Sequence, residues 1–262
     1  MNRMTSVTFR DRKGAEPIAM LTAYDHVTAT ILDEAGIDAI LVGDSVGTTL
    51  LGYQDTTRVS MDEMVHHTAA VSRGVHRALV VADLPFLSMH LGTHHGVACA
   101  GRLVREGGAQ AVKVEGCRGV LETVRAIIEA GIPVMGHLGL TPQSVHALGG
   151  YARRGREAAE AAAIRRDAQL LEAAGVFGLV LECVPAPLAR DLTETLDIPV
   201  IGIGCGTPCD GQVLVSNDIL GWNAGPVPGF VRGYLDTRSL WRKAFQQYIS
   251  DVQDGALTEE DR

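Results

Sequence analysis

Short apolar runs recur along this chain at even spacing, and several of them stop on an ionisable residue. Ala39-Ile40-Leu41-Val42 leads into Gly43-Asp44-Ser45, Leu79-Val80-Val81-Ala82 into Asp83, Val112-Lys113-Val114 into Glu115, Pro133-Val134-Met135-Gly136 into His137, and Gly178-Leu179-Val180-Leu181 into Glu182. Continuous aliphatic runs predict strands covered on both faces, where a half-exposed strand would alternate. Ahead of these runs stand Glu34-Ala35-Gly36, Glu106-Gly107-Gly108, Glu129-Ala130-Gly131 and Glu172-Ala173-Ala174-Gly175, whose glycines suit the left-handed position that closes a helix. Helix followed by strand, repeated, implies parallel pairing through crossovers, with reactive groups carried at the carboxyl ends of the strands.

The intervening stretches fill out this alternation. Residues 5–14 read as a short helix lying under a barrel, ahead of a first strand at Ile18-Ala19-Met20-Leu21-Thr22. Asp25 can cap a helix whose apolar positions Val27, Ile31, Leu32 and Ala35 share one face. The polar, glycine-bearing run Gly47–Thr57 reads as a loop and a candidate lid, and Ser60 with Glu63 forms a capping box for a helix from Met61. In that helix His66 and His67 are adjacent, point to different sides and make a poor metal pair. A helix with an apolar stripe at Val120, Leu121, Val124, Ile127 and Ile128 ends at Gly131, and another runs from about Glu157 to Ala174, burying Ile164, Ala168 and Leu171. Ile198–Ile203 supplies a seventh strand, Asp210–Val215 a turn and a weak eighth, Trp241–Val252 a closing helix, and the chain from about 255 a loose polar tail.

Composition narrows this picture. The chain has 262 residues and no Pro/Ser/Gly linker, which fits a single domain over 1–262 and the length of a (β/α)8 barrel. A net charge of -8 lacks the basic face a nucleic-acid binder needs. The five cysteines, Cys99, Cys117, Cys183, Cys205 and Cys209, are odd in number and without C-x-x-C spacing, so they indicate neither a disulfide framework nor a zinc ribbon. Met1-Asn2-Arg3-Met4-Thr5 lacks the apolar core of a signal peptide and no apolar run approaches a membrane span, so a soluble cytoplasmic protein is expected.

The candidate chemistry lies at the strand ends. A lone Asp44 reads as readily as a turn cap, but its repetition at Asp83, Glu115 and Glu182 points to a site. Along Val112–Glu115 side chains alternate, so Lys113 and Glu115 face the same way, as a functional pair or a structural ion pair. Glycines beside His137 let a ligand approach the backbone. Arg153, Arg154 and Arg156 form either a solvated turn or a clamp for an anionic co-substrate. Gly202, Gly204 and Gly206 alone are weak evidence for phosphate binding.

Taken together, Thr22-Ala23-Tyr24-Asp25, Leu41-Val42-Gly43-Asp44-Ser45, Ala82-Asp83-Leu84-Pro85-Phe86, Val112-Lys113-Val114-Glu115-Gly116, Gly136-His137-Leu138-Gly139-Leu140-Thr141-Pro142-Gln143-Ser144, Leu181-Glu182-Cys183-Val184-Pro185 and Asp210-Gly211-Gln212-Val213-Leu214-Val215 resemble the ketopantoate hydroxymethyltransferase family over nearly the whole chain. The resemblance implies a (β/α)8 TIM barrel of the phosphoenolpyruvate/pyruvate type. The implied reaction moves a one-carbon unit from 5,10-methylenetetrahydrofolate to 3-methyl-2-oxobutanoate, giving 2-dehydropantoate. It also implies one Mg2+ per subunit and a homo-oligomer, commonly a decamer, acting on a small 2-oxo acid and a folate. By the same resemblance Asp44 and Asp83 hold the metal, with Glu115 a ligand directly or through water. Ser45 and Lys113 join the two aspartates in contacting the 2-oxo acid, with His137 on the substrate side. Glu182 is the proton acceptor, a role for which the residues alone also admit Glu115 or His137.

The chain departs from the family pattern at Asn217-Asp218, where His-Asp is usual, and at Ala152-Arg153-Arg154-Gly155, in place of the usual valine and glutamine before Gly-Arg. It departs again at Cys205 for alanine and Gly229 for lysine. These positions lie outside the metal and keto-acid set and bear on the one-carbon donor and subunit contacts. A superfamily lyase is disfavoured because the Lys-Lys-Cys-Gly-His signature of the isocitrate lyase branch is absent, and a non-catalytic scaffold is disfavoured because Asp44, Asp83, Lys113 and Glu182 are all present.

Overall fold

A computed structural model describes residues 3–256, so residues 257–262 of the expected polar tail lie outside the described residues. The strands β1 (Ile18–Thr22), β2 (Ala39–Val42), β3 (Leu79–Asp83), β4 (Ala111–Glu115), β5 (Val134–Gly139), β6 (Gly178–Glu182), β7 (Val200–Ile203) and β8 (Gly211–Leu214) pair in parallel and in sequence order, and β8 closes on β1. The helices are α1 (Ser6–Arg10), α2 (His26–Glu34), α3 (Val46–Thr49), α4 (Met61–Gly74), α5 (Thr93–Arg105), α6 (Leu121–Glu129), α7 (Val145–Leu148), α8 (Ala158–Ala174), α9 (Ala186–Thr195), α10 (Ser216–Ile219) and α11 (Thr237–Gln253). Two compact units divide the chain: Met1–Val215 carries every strand, and Ser216–Arg262 carries α10 and α11.

Strand alternation sorts the core into two layers. Ile40, Val42, Val80, Val112, Leu179 and Leu181 face outward onto the helices. Ile18, Met20, Leu41, Leu79, Val81, Ala111, Met135, Val180 and Val213 fill the barrel, closed below by Phe9 of α1, whose ring meets Phe177 edge-on at 5.4 Å. Four inward columns then turn polar at their carboxyl ends, from Leu79 and Val81 to Asp83, from Ala111 to Lys113 and Glu115, from Met135 to His137, and from Val180 to Glu182, while β7 and β8 bring Ile203 and Val213 to the same cavity. The site is therefore the top layer of the barrel interior.

Two local expectations are corrected. Val27 and Ile31 of α2 are 64% and 59% exposed, while Ala29 and Asp33 are buried. The helix seats its small face because α4 comes close: a Cβ on Gly74 would stand 2.6 Å from the His26 carbonyl oxygen. The run after Asp44 is also more than a loop, since it folds into α3 and a 3-10 turn at Thr56–Arg58.

Asp33 anchors the opposite end of the barrel from the site. Its carboxylate accepts from the main-chain N–H groups of His76 at 2.9 Å, Arg77 at 3.0 Å and Ala78 at 2.8 Å, just ahead of β3. Burial pushes its pKa up, but these donors and the Arg77 charge outweigh that and hold it below the usual value. A folded-state pKa lowered in this way contributes stability above the unfolded value near 3.9, lost as pH falls through the folded value. Asp33→Ala is expected to cost about 1.5–3 kcal/mol at pH 7, and urea unfolding at pH 7 and at pH 3 should show the gap between variant and wild type narrowing in acid.

Candidate active site

Register sets neighbours side by side at the top of the barrel: Asp83 pairs with Lys113, Glu115 with His137, and Gly139 with Glu182. Asp44, Ser45, Asp83, Lys113, Glu115, His137 and Glu182 all line one cavity of about 120 Å3, so the structure brings the whole set of candidates together. The Asp44 main-chain N–H donates to Asp83 Oδ2 at 3.0 Å, and Asp83 Oδ1 lies 3.0 Å from Lys113 Nζ. His137 is the hub of the other half. Its Nδ1 lies 3.2 Å from Lys113 Nζ and 3.4 Å from Glu115 Oε1, and its Nε2 3.2 Å from Glu182 Oε2.

Gly139 makes this closeness possible. Its φ of 92° is left-handed, and a Cβ there would fall 2.2 Å from the Glu182 carbonyl oxygen. A side chain at 139 would push the end of β6, and Glu182 with it, out of register.

The charges are interdependent. Burial pushes the Asp44 carboxyl well above its usual range, and the Asp83 and Glu115 charges push it further, with Lys113 and Gln143 pulling back. Burial also raises Asp83, against the Lys113 ammonium. Glu115 is buried too, but its contact with His137 leads a set of interactions that bring it below the usual value. Burial and Lys113 push His137 down, and Glu115 and Glu182 outweigh them to bring it up to about 9. Lys113 is likewise raised, since Asp83, Glu115 and Asp44 outweigh its burial. Four carboxyl groups thus face one ammonium and one imidazole, an excess of acids that disfavours ionisation most at Asp44.

That excess suits a divalent cation. Asp83 Oδ1 is buried and, although within ion-pair reach of Lys113, accepts no well-aligned hydrogen bond. Among the described residues no group of three or more His, Cys, Asp or Glu side chains forms a protein-only metal cage. Two carboxylates with room for water and substrate oxygens are what Mg2+ takes, so Asp44 and Asp83 could hold it. Both Glu115 oxygens already face protein groups, Oε1 the His137 ring and Oε2 the Gln143 main-chain N–H at 3.0 Å.

Two polar contributors carried no role in the sequence reading. Gln143, in the turn after β5, donates through Nε2 to Asp44 Oδ2 at 2.8 Å. Tyr24, after β1, lies with its hydroxyl 2.8 Å from Ser45 Oγ, and its carbonyl accepts from His67 Nδ1 at 2.7 Å. Both fall within quoted motifs, so their polarity beside strand ends was the available signal. The arginines stay outside the cavity: Arg153 donates to the Gly204 carbonyl at 3.1 Å, and Arg154 is ion-paired with Glu160. Gly202 serves packing, since a Cβ there would stand 2.9 Å from Cys209 Sγ.

The closed parallel barrel is a fold found in solved structures of other enzymes. Phosphoenolpyruvate phosphomutase from Streptomyces platensis subsp. rosaceus superimposes with a TM-score of 0.63 at 14% identity, covering 96% of this chain and 88% of that one. A 2,3-dimethylmalate lyase, a PEP mutase/isocitrate lyase superfamily member, gives 0.61 at 14% identity, covering 98% and 91%. Sequence comparison goes further. The family model for ketopantoate hydroxymethyltransferase matches residues 3–260. The 3-methyl-2-oxobutanoate hydroxymethyltransferase of Acetivibrio thermocellus is 54% identical over 260 residues, covering 99% of this chain and 92% of that protein. Its namesake in Syntrophus aciditrophicus is 51% identical over 257 residues, covering 98% and 94%. The chain belongs to the ketopantoate hydroxymethyltransferase family and is a transferase.

Proposed function

We propose that this enzyme transfers a hydroxymethyl unit from 5,10-methylenetetrahydrofolate to 3-methyl-2-oxobutanoate, giving 2-dehydropantoate for pantothenate synthesis. The observation that carries the reading is the single cavity in which two buried aspartates, a buried lysine and a His137–Glu182 pair converge. At about 120 Å3 it suits a small organic acid and is below the 300 Å3 or so of larger ligand pockets, so the folate would approach at the mouth.

Asp44 and Asp83 would hold a magnesium ion, with Glu115 supporting it through water. When bound, it would draw electron density from the 2-oxo group and acidify the neighbouring C3–H. Lys113, buried and positively charged, would face the developing oxyanion and stabilise it in a low-dielectric site. Ser45, fixed by Tyr24, would orient the substrate carboxylate. Glu182 would accept the C3 proton, and the contact with His137 Nε2 would hold its carboxylate in place. The C3–H bond breaks, C3 bonds to the donor's methylene carbon, water supplies the hydroxyl to that carbon as its two C–N bonds to the folate break, and the C3 proton and the remaining water proton end on the two nitrogens of the departing tetrahydrofolate.

Incubating the protein with both substrates tests this. Formation of 2-dehydropantoate that stops on chelation and returns with Mg2+ is expected, and no product under any metal would sink the reading.

The same reading includes a homo-oligomer, a decamer by family resemblance. Its support here is α11, where Phe245, Tyr248 and Ile249 are 60%, 61% and 52% exposed. An exposed apolar face of this kind is one that contact with another protein surface covers. Light scattering should give a particle near ten times 27.8 kDa, and a monomer would contradict it.

A further inference from the structure

Gln143 reaches more strand ends than any candidate named above. Its Nε2 donates to Asp44 Oδ2 at 2.8 Å after β2 and to the Leu84 carbonyl at 2.9 Å after β3, and its main-chain N–H donates to Glu115 Oε2 at 3.0 Å at the end of β4. The Leu84 carbonyl can only accept, so the amide orientation follows from the neighbours: the NH2 group points into the site. Both amide protons are spent, one on a main-chain anchor and one on a carboxylate. An anchor of that kind lets the side chain impose an orientation on Asp44 without following its motion.

We propose that Gln143 is a positioning residue for the divalent cation, its carboxamide fixing Asp44 through Oδ2 so that Oδ1 stays available, while its main-chain N–H fixes Glu115. The inference rests on the metal reading of Asp44 and Asp83 given above. Two groups that would form or support the metal site, Asp44 and Glu115, are then held from one turn, Pro142–Ser144, that contributes no ligand itself. Groups that orient ligands in this way typically change metal affinity by about 10–100-fold when removed.

Titration of the full-length, metal-stripped protein with Mn2+, followed by the loss of the free-ion electron paramagnetic resonance signal, requires no turnover. Gln143→Met keeps the length of the side chain and removes the donor. It is expected to bind Mn2+ about 10–100-fold more weakly than wild type while its urea midpoint stays near the wild-type value. Should the apolar variant fail to fold, Gln143→Asn keeps polarity but cannot reach Asp44 from the same main-chain position, and the same weakening is expected. A folded variant that binds Mn2+ within about twofold of wild type, far inside the 10–100-fold range, overturns the inference and leaves the metal reading intact. A wild-type protein that does not bind Mn2+ overturns both.

Discussion

Glu182→Gln is expected to lower kcat for 2-dehydropantoate formation by about 10^2- to 10^4-fold, the range a positioned general base contributes. The substitution preserves volume and shape. The main chain of Glu182 is fixed independently of its side chain, since its carbonyl accepts from Leu140 N–H at 2.8 Å and its strand pairs with β7 at Ile203. His137 Nε2 lies 3.2 Å from the side-chain oxygen in the wild type without a well-aligned hydrogen bond, and the amide oxygen of the variant can keep that contact. KM for the 2-oxo acid and the urea midpoint should therefore move little while kcat collapses, as measured by steady-state kinetics and equilibrium unfolding. A loss confined to KM would assign Glu182 to binding, and proton removal would pass to Glu115 or His137.

Lys113→Met should damage both stability and activity. Its side chain is 4% exposed and sits 3.0 Å from Asp83 Oδ1, so its removal leaves buried negative charge without a counter-ion. Breaking a buried pair from one side typically costs about 3–5 kcal/mol, and loss of a donor aimed at a developing oxyanion costs about 10^2- to 10^3-fold in kcat. The pH dependence has a definite sign. Burial already raises the Asp83 carboxyl in the wild type, opposed chiefly by Lys113, so the variant raises it further. A carboxyl raised above its unfolded value destabilises the fold while ionised, and the deficit shrinks as pH falls and it takes up a proton. Urea unfolding of both proteins at neutral and mildly acidic pH should show the gap closing in acid. A gap constant with pH would mean that lost packing of the lysine stem dominates.

The strand ends were legible because a parallel barrel hides its strands. A buried β-strand must be aliphatic, so Asp44, Asp83, Lys113, Glu115, His137 and Glu182 stand out against apolar runs, and period-two alternation already placed Lys113 and Glu115 together. What escaped lies where no period operates. Gln143 acts from a 3-10 turn, and its reach to Asp44 and Glu115 depends on three-dimensional proximity across 99 and 28 residues of sequence. The buried face of α2 also escaped, because Ala29 and Asp33 are selected there by the closeness of α4 and by the main-chain N–H groups ahead of β3 that donate to Asp33, whereas apolar spacing singles out Val27 and Ile31. The helix at Val46–Thr49 was hidden by its glycine and threonines, which read as loop until Ser45 and Asp44 carbonyls are seen accepting from Thr49 and Gly47.

In the proposed reaction this cavity removes the C3 proton of 3-methyl-2-oxobutanoate and Glu182 takes it. The most direct measurement is exchange of that proton with D2O, followed by proton NMR with Mg2+ and without any folate, in wild type and Glu182→Gln. Loss of the C3 signal is expected with wild type and its retention with the variant. Equal exchange in both proteins would contradict that role of Glu182.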